Sequence, residues 1–206
     1  MESSRHTAAE PRANYHHGDL RAALLDAAEE ELARTGIEGF SLRAVAKRAG
    51  VSHAAPAHHF GDVKGLLTAL AAEGFRRFLA AQKAAMAEAP ADPRSQLQAA
   101  GLGYVRFASA SPALFRLIFS SDRTDFEDPE LSVASNDSYN MLQRQVKEVT
   151  GRDPATDPEA LIDLQGTWAI AHGLADLLAA GRLKTLSALP VAEREAQILR
   201  IIGRAL

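Results

Sequence analysis

Apolar positions recur along this chain with the spacing of helices and nowhere with the alternation and turn chemistry of strands. Leu20, Leu24, Ala28 and Leu32 repeat every four residues and form one stripe of a first helix, with Gly36 in the position that ends it. Ser41 can cap a second, short helix that turns Leu42, Val45, Ala46 and Ala49 inward. Gly50 breaks the chain. Ser52 is expected to cap a third helix running to about His59. Pro56 would then be the fourth helical residue, where it forgoes the bond to the Ser52 carbonyl and makes the first turn irregular. Asp62 caps a fourth helix, from Val63 to Ala89, about 40 Å long at ~1.5 Å per residue. A fifth spans Pro93 to Ala110, and "SP" at 111–112 opens a short, apolar sixth. The seventh runs from Pro129 to Thr150, the eighth from Pro158 to Ala180 and the ninth from Val191 to Arg204. The pattern is that of an all-α protein of about nine helices.

Composition agrees and excludes several classes. Alanine and leucine dominate the 206 residues, which favours helix over sheet. No stretch approaches the ~20 uninterrupted apolar residues of a membrane span. The opening "MESSRHTAAEPRAN" is polar, carries no signal-like apolar run, and reads over residues 1–13 as a flexible tail. Cysteine is absent, so neither a disulfide framework nor a thiolate metal site can form. A cytoplasmic address and no membrane partner are expected.

The net charge of −3 argues against nucleic acid only as a total. Six of the seven histidines lie in the first sixty residues, and acid and base nearly balance there, so histidine can tip the local sign. Part of the acidic excess is Glu29, Glu30 and Glu31, read as the solvent face of one helix.

Residues 41–59 read as helix, tight turn, helix. Ala46 is small enough for a close crossing, Gly50 takes a positive-φ turn, and Val51 plugs the corner. This is the spacing of a helix-turn-helix, whose second helix enters a DNA major groove with its first residues at base edges. A hairpin that only packs has the same spacing.

The stretch "VSHAAPAHHF" places His53, His58 and His59 around a proline. A zinc site needs three or four converging ligands. His58 and His59 point about 100° apart on one helix, and His53 lies a turn and a half away, so the three do not converge. No carboxylate within the helix orients any of them. No metal, no cofactor and no catalytic residue is expected. His53 stands at the end that enters a groove; His59, beside Phe60, can instead pack beneath the fourth helix. Lys64 lies in the first turn of the fourth helix, where a cation opposes the helix dipole unless a phosphate offsets it.

The run "SLRAVAKRAGVS…HHFGDVKGLL", within residues 15 to about 75, resembles the DNA-binding domain of the TetR family of transcriptional regulators. The C-terminal "WAIAHG", with Trp168, His172 and Gly173, resembles the Trp-His-Gly type of its ligand-binding domain. The resemblance implies three helices of DNA-binding domain at 14–61 and a helical effector-binding and dimerisation domain at 62–206. It implies a homodimer that represses transcription at a palindromic double-stranded operator until a small effector releases it. The DNA contacts it implies are Ser41, Arg43, Ser52, His53, Ala54, Ala55, Ala57, His58 and Lys64, the last on phosphate. Tyr15, His16 and His17 either reach phosphate or the minor groove or form a disordered arm. Ala57 departs from the family pattern, which places a phosphate-touching tyrosine there.

In the C-terminal half, Leu161, Leu164, Trp168, Ala171, Ala175 and Leu178 form a stripe on the eighth helix, and Ile198, Leu199, Ile201 and Ile202 one on the ninth. Stripes this apolar suit a dimer's helix bundle or an intramolecular core. His172 lies one turn after Trp168. Tyr104, Phe107, Leu114, Phe115, Ile118 and Phe119 form helical stripes that read either as core or, by the resemblance, as the wall of an effector cavity with Trp168 and His172. No basic cluster accompanies them, which favours an apolar or aromatic effector. The competing readings are an all-helical enzyme using histidine and carboxylates, though no phosphate loop, nucleophile elbow or zinc motif is present, and a helical adaptor for protein contacts.

Overall fold

The computed structural model describes residues 17–120 and 122–204, apart from the side chains of 17–19 and 120. Ten helices make up the described residues: α1 His17–Thr35, α2 Leu42–Arg48, α3 Ala55–Phe60, α4 Val63–Ala87, α5 Pro93–Ala110, α6 Pro112–Ser120, α7 Pro129–Thr150, α8 Pro158–Ala179, α9 Lys184–Ser187 and α10 Val191–Ile202. None of the described helices is long and apolar enough to cross a membrane.

Three helices start on the same device. Asp92, Asp128 and Asp157 each accept a hydrogen bond from a backbone N–H of the first turn, and the next residue is a proline at the head of α5, α7 and α8. The carboxylate satisfies an orphan donor, and proline occupies a place where its missing N–H costs nothing. Asp62 caps α4 in the same way, accepting from Gly65 N–H at 2.8 Å.

Two local expectations fail. The short α9 carries only one buried side chain, Leu186, too little to form a stripe. The third helix begins at Ala55 and not at a Ser52 cap; the Ser52 carbonyl instead accepts a turn bond from Ala55 N–H at 3.0 Å. Proline explains the shift. A later start puts Pro56 in the second helical position, where it neither breaks a bond nor strikes a carbonyl, and its ring is buried.

α4 is the axis of the molecule. Its Leu66, Leu67, Leu70 and Ala71 are fully buried, each leucine contributing ~1.5–3 kcal/mol. It packs against α1, α3, α5, α6 and α7, so one continuous apolar core extends from Leu24 and Val45 to Ile198 and Ile202. α5 is pinched between neighbours. A Cβ at Gly103 would lie 2.5 Å from Gln82 Cα on α4, and one at Gly101 would lie 2.7 Å from Ile202 Cδ1 on α10. Arg106 of α5 closes the edge, donating to both oxygens of Glu195 at 2.8 and 2.9 Å and to Glu88 at 3.0 Å.

Of the acidic run of α1, Glu30 is exposed as expected, but Glu29 and Glu31 are not on a solvent face. Glu31 is 1% exposed and receives Arg34 at 2.7 Å and Arg48 at 3.2 Å, tying α1 to the end of α2. Glu29 receives Arg77 of α4 at 2.6 Å.

Candidate functional site

The hairpin forms as its residues dictate. Ser41 caps α2, its Oγ accepting from Ala44 N–H at 3.3 Å. Gly50 adopts φ 68°, which lets Val51 N–H reach back to the Ala46 carbonyl at 3.0 Å while Ala46 is fully buried at the crossing. α2 thereby carries Arg43 to the surface. Ser52, His53 and Ala54 are exposed in the turn before α3, and Ala57 and His58 are exposed on it. Ala55 and His59 are half-buried. Ser52, Ala54, Ala55 and His58 border an open groove whose facing wall is α1. The His58 and His59 rings meet edge to face at 5.6 Å, and Phe60 receives the Arg21 guanidinium at 5.5 Å. No three histidine, aspartate or glutamate side chains converge on a metal position among the described residues. Tyr15 and His16 lie outside the described residues, as does the side chain of His17 at the head of α1.

Charge pairing singles out part of this surface. Between His17 and Lys64, Arg21, Arg34, Arg48 and Lys64 all pair with carboxylates. Arg43 and Lys47 are exposed and have no ion pair among the described residues. They are four residues apart, on one face of α2. Lys47 was not singled out from sequence, although this spacing from Arg43 was there to read. Lys64 Nζ lies 3.3 Å from Asp125 Oδ2, both side chains about half exposed.

The second feature is a cavity of about 370 Å³ among α4, α5, α6, α7 and α8. Of the side chains expected there, Tyr104, Ile118, Phe119 and Trp168 line it. Phe107, Leu114, Phe115 and His172 do not. The first three turn into the core, Leu114 filling the space above Gly74. His172 sits behind the wall, its ring 5.4 Å from both Phe115 and Phe119. The Tyr104 oxygen and His172 Nδ1 are 2.7 Å apart, a hydrogen bond whose proton direction follows the imidazole tautomer. Burial pushes the Tyr104 hydroxyl well above its ordinary pKa, so it stays protonated; the Trp168 indole acts in the opposite sense and is outweighed.

Sequence reasoning missed most of the rest of the wall. α4 contributes Phe75, Phe78 and Gln82, spaced by three and four residues. Phe78 is the hub, with ring centroids 4.7 Å from Tyr104 and 5.3 Å from Phe119. α7 contributes Ser138, Tyr139, Met141, Leu142 and Gln145. The loop 122–128 contributes Phe126, 6.3 Å from Phe75. The lining holds no charged side chain.

The stripes read as a dimer's bundle or an intramolecular core are in part buried within the chain, while Trp168 is 40% exposed. Leu164, Ala171 and Ala175 on α8, and Ile198 and Ile202 on α10, are buried against the chain's own core. They face inward because α5 packs against both helices. The outward face of α8 carries Ile162, Gly166, Ala169, Gly173 and Leu177, spaced by four, three, four and four residues. A Cβ at Gly166 or Gly173 would meet nothing.

The comparisons with known proteins cover both features. Residues 24–70 match the family profile described as bacterial regulatory proteins of the tetR family, and residues 97–200 that of the tetracyclin repressor-like C-terminal domain. The chain is 28% identical over 180 residues to the HTH-type transcriptional regulator BetI of Burkholderia cenocepacia, covering 84% of this chain and 89% of that protein. A solved protein with unknown function from Rhodococcus sp. RHA1 is 35% identical, with a TM-score of 0.76 over 95% of this chain and 99% of that one. A TetR-like transcriptional regulator from the same organism shares the fold at 17% identity and a TM-score of 0.66, over 93% of this chain and 97% of that one. Neither a catalyst nor an adaptor accounts for matches to both halves, and the chain belongs to the TetR family of bacterial transcriptional regulators.

Proposed function

We propose that this protein is a cytoplasmic repressor that holds a two-fold symmetric operator as a homodimer and releases it when a small apolar or aromatic compound enters the cavity. Residues 14–61 form the DNA-reading unit and residues 62–206 the effector and dimer unit. The loop 122–128 is the observation that carries the ligand response. Phe126 lines the cavity, while the preceding Asp125 holds Lys64 at 3.3 Å and donates its backbone N–H to Thr68 Oγ1 at 2.9 Å. Filling the cavity displaces Phe126 and moves Asp125 with it, at the end of α4 that follows the recognition helix. Ligand contact and DNA contact thus meet on two successive residues.

In this reading Arg43, Lys47 and Lys64 anchor phosphates, which position the protein without reading sequence. Ser52, His53 and Ala54 stand at the base edges, with Ser41, Ala55, Ala57 and His58 alongside, and Tyr15, His16 and His17 reach the flanking backbone. The short side chains of 54 and 55 favour apolar contact with thymine methyls. The dimer forms through the outward face of α8 together with α10, whose Val191 is 59% exposed. The two glycines of α8 allow the partner helix to approach closely. Two identical recognition helices then require half-sites ~34–36 Å apart, or a multiple of that.

Selection of bound sequences from random duplex DNA, followed by anisotropy titrations in a salt series, tests this. The expected outcome is a palindrome whose affinity falls steeply with salt as counterions are released. Absence of salt-dependent binding to any duplex overturns it.

A further inference from the structure

The wall of the cavity carries hydrogen-bonding groups that are not in balance. Gln82 on α4 and Gln145 on α7 line it, each only 7% exposed, and the side-chain oxygen of each has no hydrogen-bond partner among the described residues. A buried acceptor left unpaired costs the full desolvation of that group. Three other buried polar groups of the wall are satisfied. Thr167 Oγ1 donates to the Asp163 carbonyl at 2.8 Å, Ser138 Oγ to the Ala134 carbonyl at 3.3 Å, and Tyr104 shares its bond with His172.

The Gln145 amide is held in orientation, and Gln82 is held at its backbone. Gln145 Nε2 donates to Glu148 Oε2 at 3.4 Å, so its oxygen is the group left over. The backbone at Gln82 is fixed from behind by Gly103, where α5 approaches too closely to admit a methyl group. The unmet demand is therefore for donors. Around it stand the rings of Phe75, Phe78, Phe119 and Trp168. No lining side chain carries a charge, so an anion would be buried beside carbonyl oxygens with no cation to offset it.

We propose that the effector is an uncharged ring compound bearing two N–H or O–H donors, one for the Gln82 oxygen and one for the Gln145 oxygen. This rests on the reading of the cavity as the effector site. About 370 Å³ lies at the small end of ligand sites and suits a compound of about two or three rings better than a long chain. The glutamines set specificity through their oxygens, and the aromatic wall supplies most of the contact area.

The probes are three series of naphthalenes: dihydroxy isomers, their dimethoxy ethers, which keep the shape and lose the donors, and the dicarboxylates. Binding is measured by calorimetry, and release of the selected operator by anisotropy. At least one diol should bind roughly tenfold or more tighter than its ether, with the dicarboxylates weakest. Gln82→Met and Gln145→Met, near in volume and lacking the oxygen, should each reduce the preference for diol over ether to a few-fold or less.

A second readout needs no ligand. Each variant should raise the Tm of the free protein, because it removes an unpaired buried oxygen. Ethers or dicarboxylates binding as well as diols, variants that keep the full preference, or variants that lower Tm would each overturn the proposal. A panel with no binder overturns it as well. If diols bind at the glutamines without releasing operator, the donor assignment stands and the effector reading falls. If ethers bind and release operator, the effector reading stands and the donor assignment falls.

Discussion

Lys64 cannot touch a phosphate while it is paired with Asp125, so removing the carboxylate should tighten DNA binding. Asp125→Asn is the conservative change. Asparagine keeps a side-chain oxygen for the turn bond that Asp125 Oδ1 accepts from Glu127 N–H at 3.3 Å, and the backbone bond to Thr68 is untouched. The pair spans 3.3 Å with side chains 55% and 48% exposed. An ion pair this open is worth about 0.2–1 kcal/mol. That is the energy wild type loses in each half-site when Lys64 turns to DNA. Over two half-sites the gain is ~0.4–2 kcal/mol, or about two- to thirty-fold in affinity. The dependence on salt should steepen, since a carboxylate no longer gathers a cation when its lysine leaves. Anisotropy titrations on the selected operator read both quantities. Loss of one negative charge near DNA would also tighten binding nonspecifically, so the cycle with Lys64→Ala decides. In that background the gain should vanish. An unchanged or weaker affinity for Asp125→Asn, or a gain that survives Lys64→Ala, refutes the reasoning.

Other substitutions test the remaining surfaces. Ala57→Tyr restores a phosphate contact on exposed α3 and should add ~0.5–1.5 kcal/mol per half-site, equally on operator and scrambled duplex; no gain on either means residue 57 points away from the backbone. Gly173→Arg places a charged side chain where a Cβ meets nothing within the chain, so circular dichroism should be unchanged while sedimentation shows a monomer and operator binding weakens by more than about tenfold; a persisting dimer rejects the α8 face. Glu31 has its pKa lowered by hydrogen bonding from Arg34, against the opposing effect of burial. Its folded value lies below the unfolded one of about 4.5, so its contribution is full above that and is lost as pH falls through the folded value. Urea unfolding should show a stability gap between wild type and Glu31→Gln that is full at about pH 7 and narrows as pH falls below 4.5; a gap independent of pH would show that packing, not ionisation, is what the substitution removes.

The order of the long helices was legible because their ends are chemical. The Asp-Pro starts at 92, 128 and 157 and the turn at Gly50 depend on local bonds, which sequence displays directly. α3 was misplaced because a serine two residues too early looked like a cap, and only the cost of proline at the fourth position argues for the later start. The α8 stripe stayed open between a partner and the chain's own core for a different reason. Both faces of that helix are apolar, and periodicity cannot say which one meets the chain's own core. Glu31 was read as solvated because its partners lie one turn away and on another helix. Most of the cavity wall was invisible because residues such as Gln82, Gln145 and Phe126 are unremarkable in a helix or a polar loop until the tertiary fold brings them together. Tyr104, Ile118, Phe119 and Trp168 were found because helical aromatic spacing and the Trp-x-x-x-His-Gly run point to them whatever packs behind.

The two glycines of α5 have a consequence for how this regulator can change its ligand over generations. Gly103 presses on the backbone of α4, and Gly101, two positions earlier and across the helix, presses on the Ile202 side chain of α10. One added methyl at 103 must pry α5 from the backbone of α4, and one at 101 must push the packed Ile202 side chain aside, so the side of the cavity built from Ala100, Gly101 and Tyr104 resists gradual remodelling. The opposite side has no such lock. Ser135, Asn136 and Tyr139 of α7 and Phe126 of the loop are at least partly exposed where they reach the cavity, and their side chains can be exchanged without moving a helix axis. Descendants with new ligands should therefore differ mainly at 126 and 135–142 and keep small residues at 101 and 103, diversifying one wall of the cavity against the other as a fixed anvil.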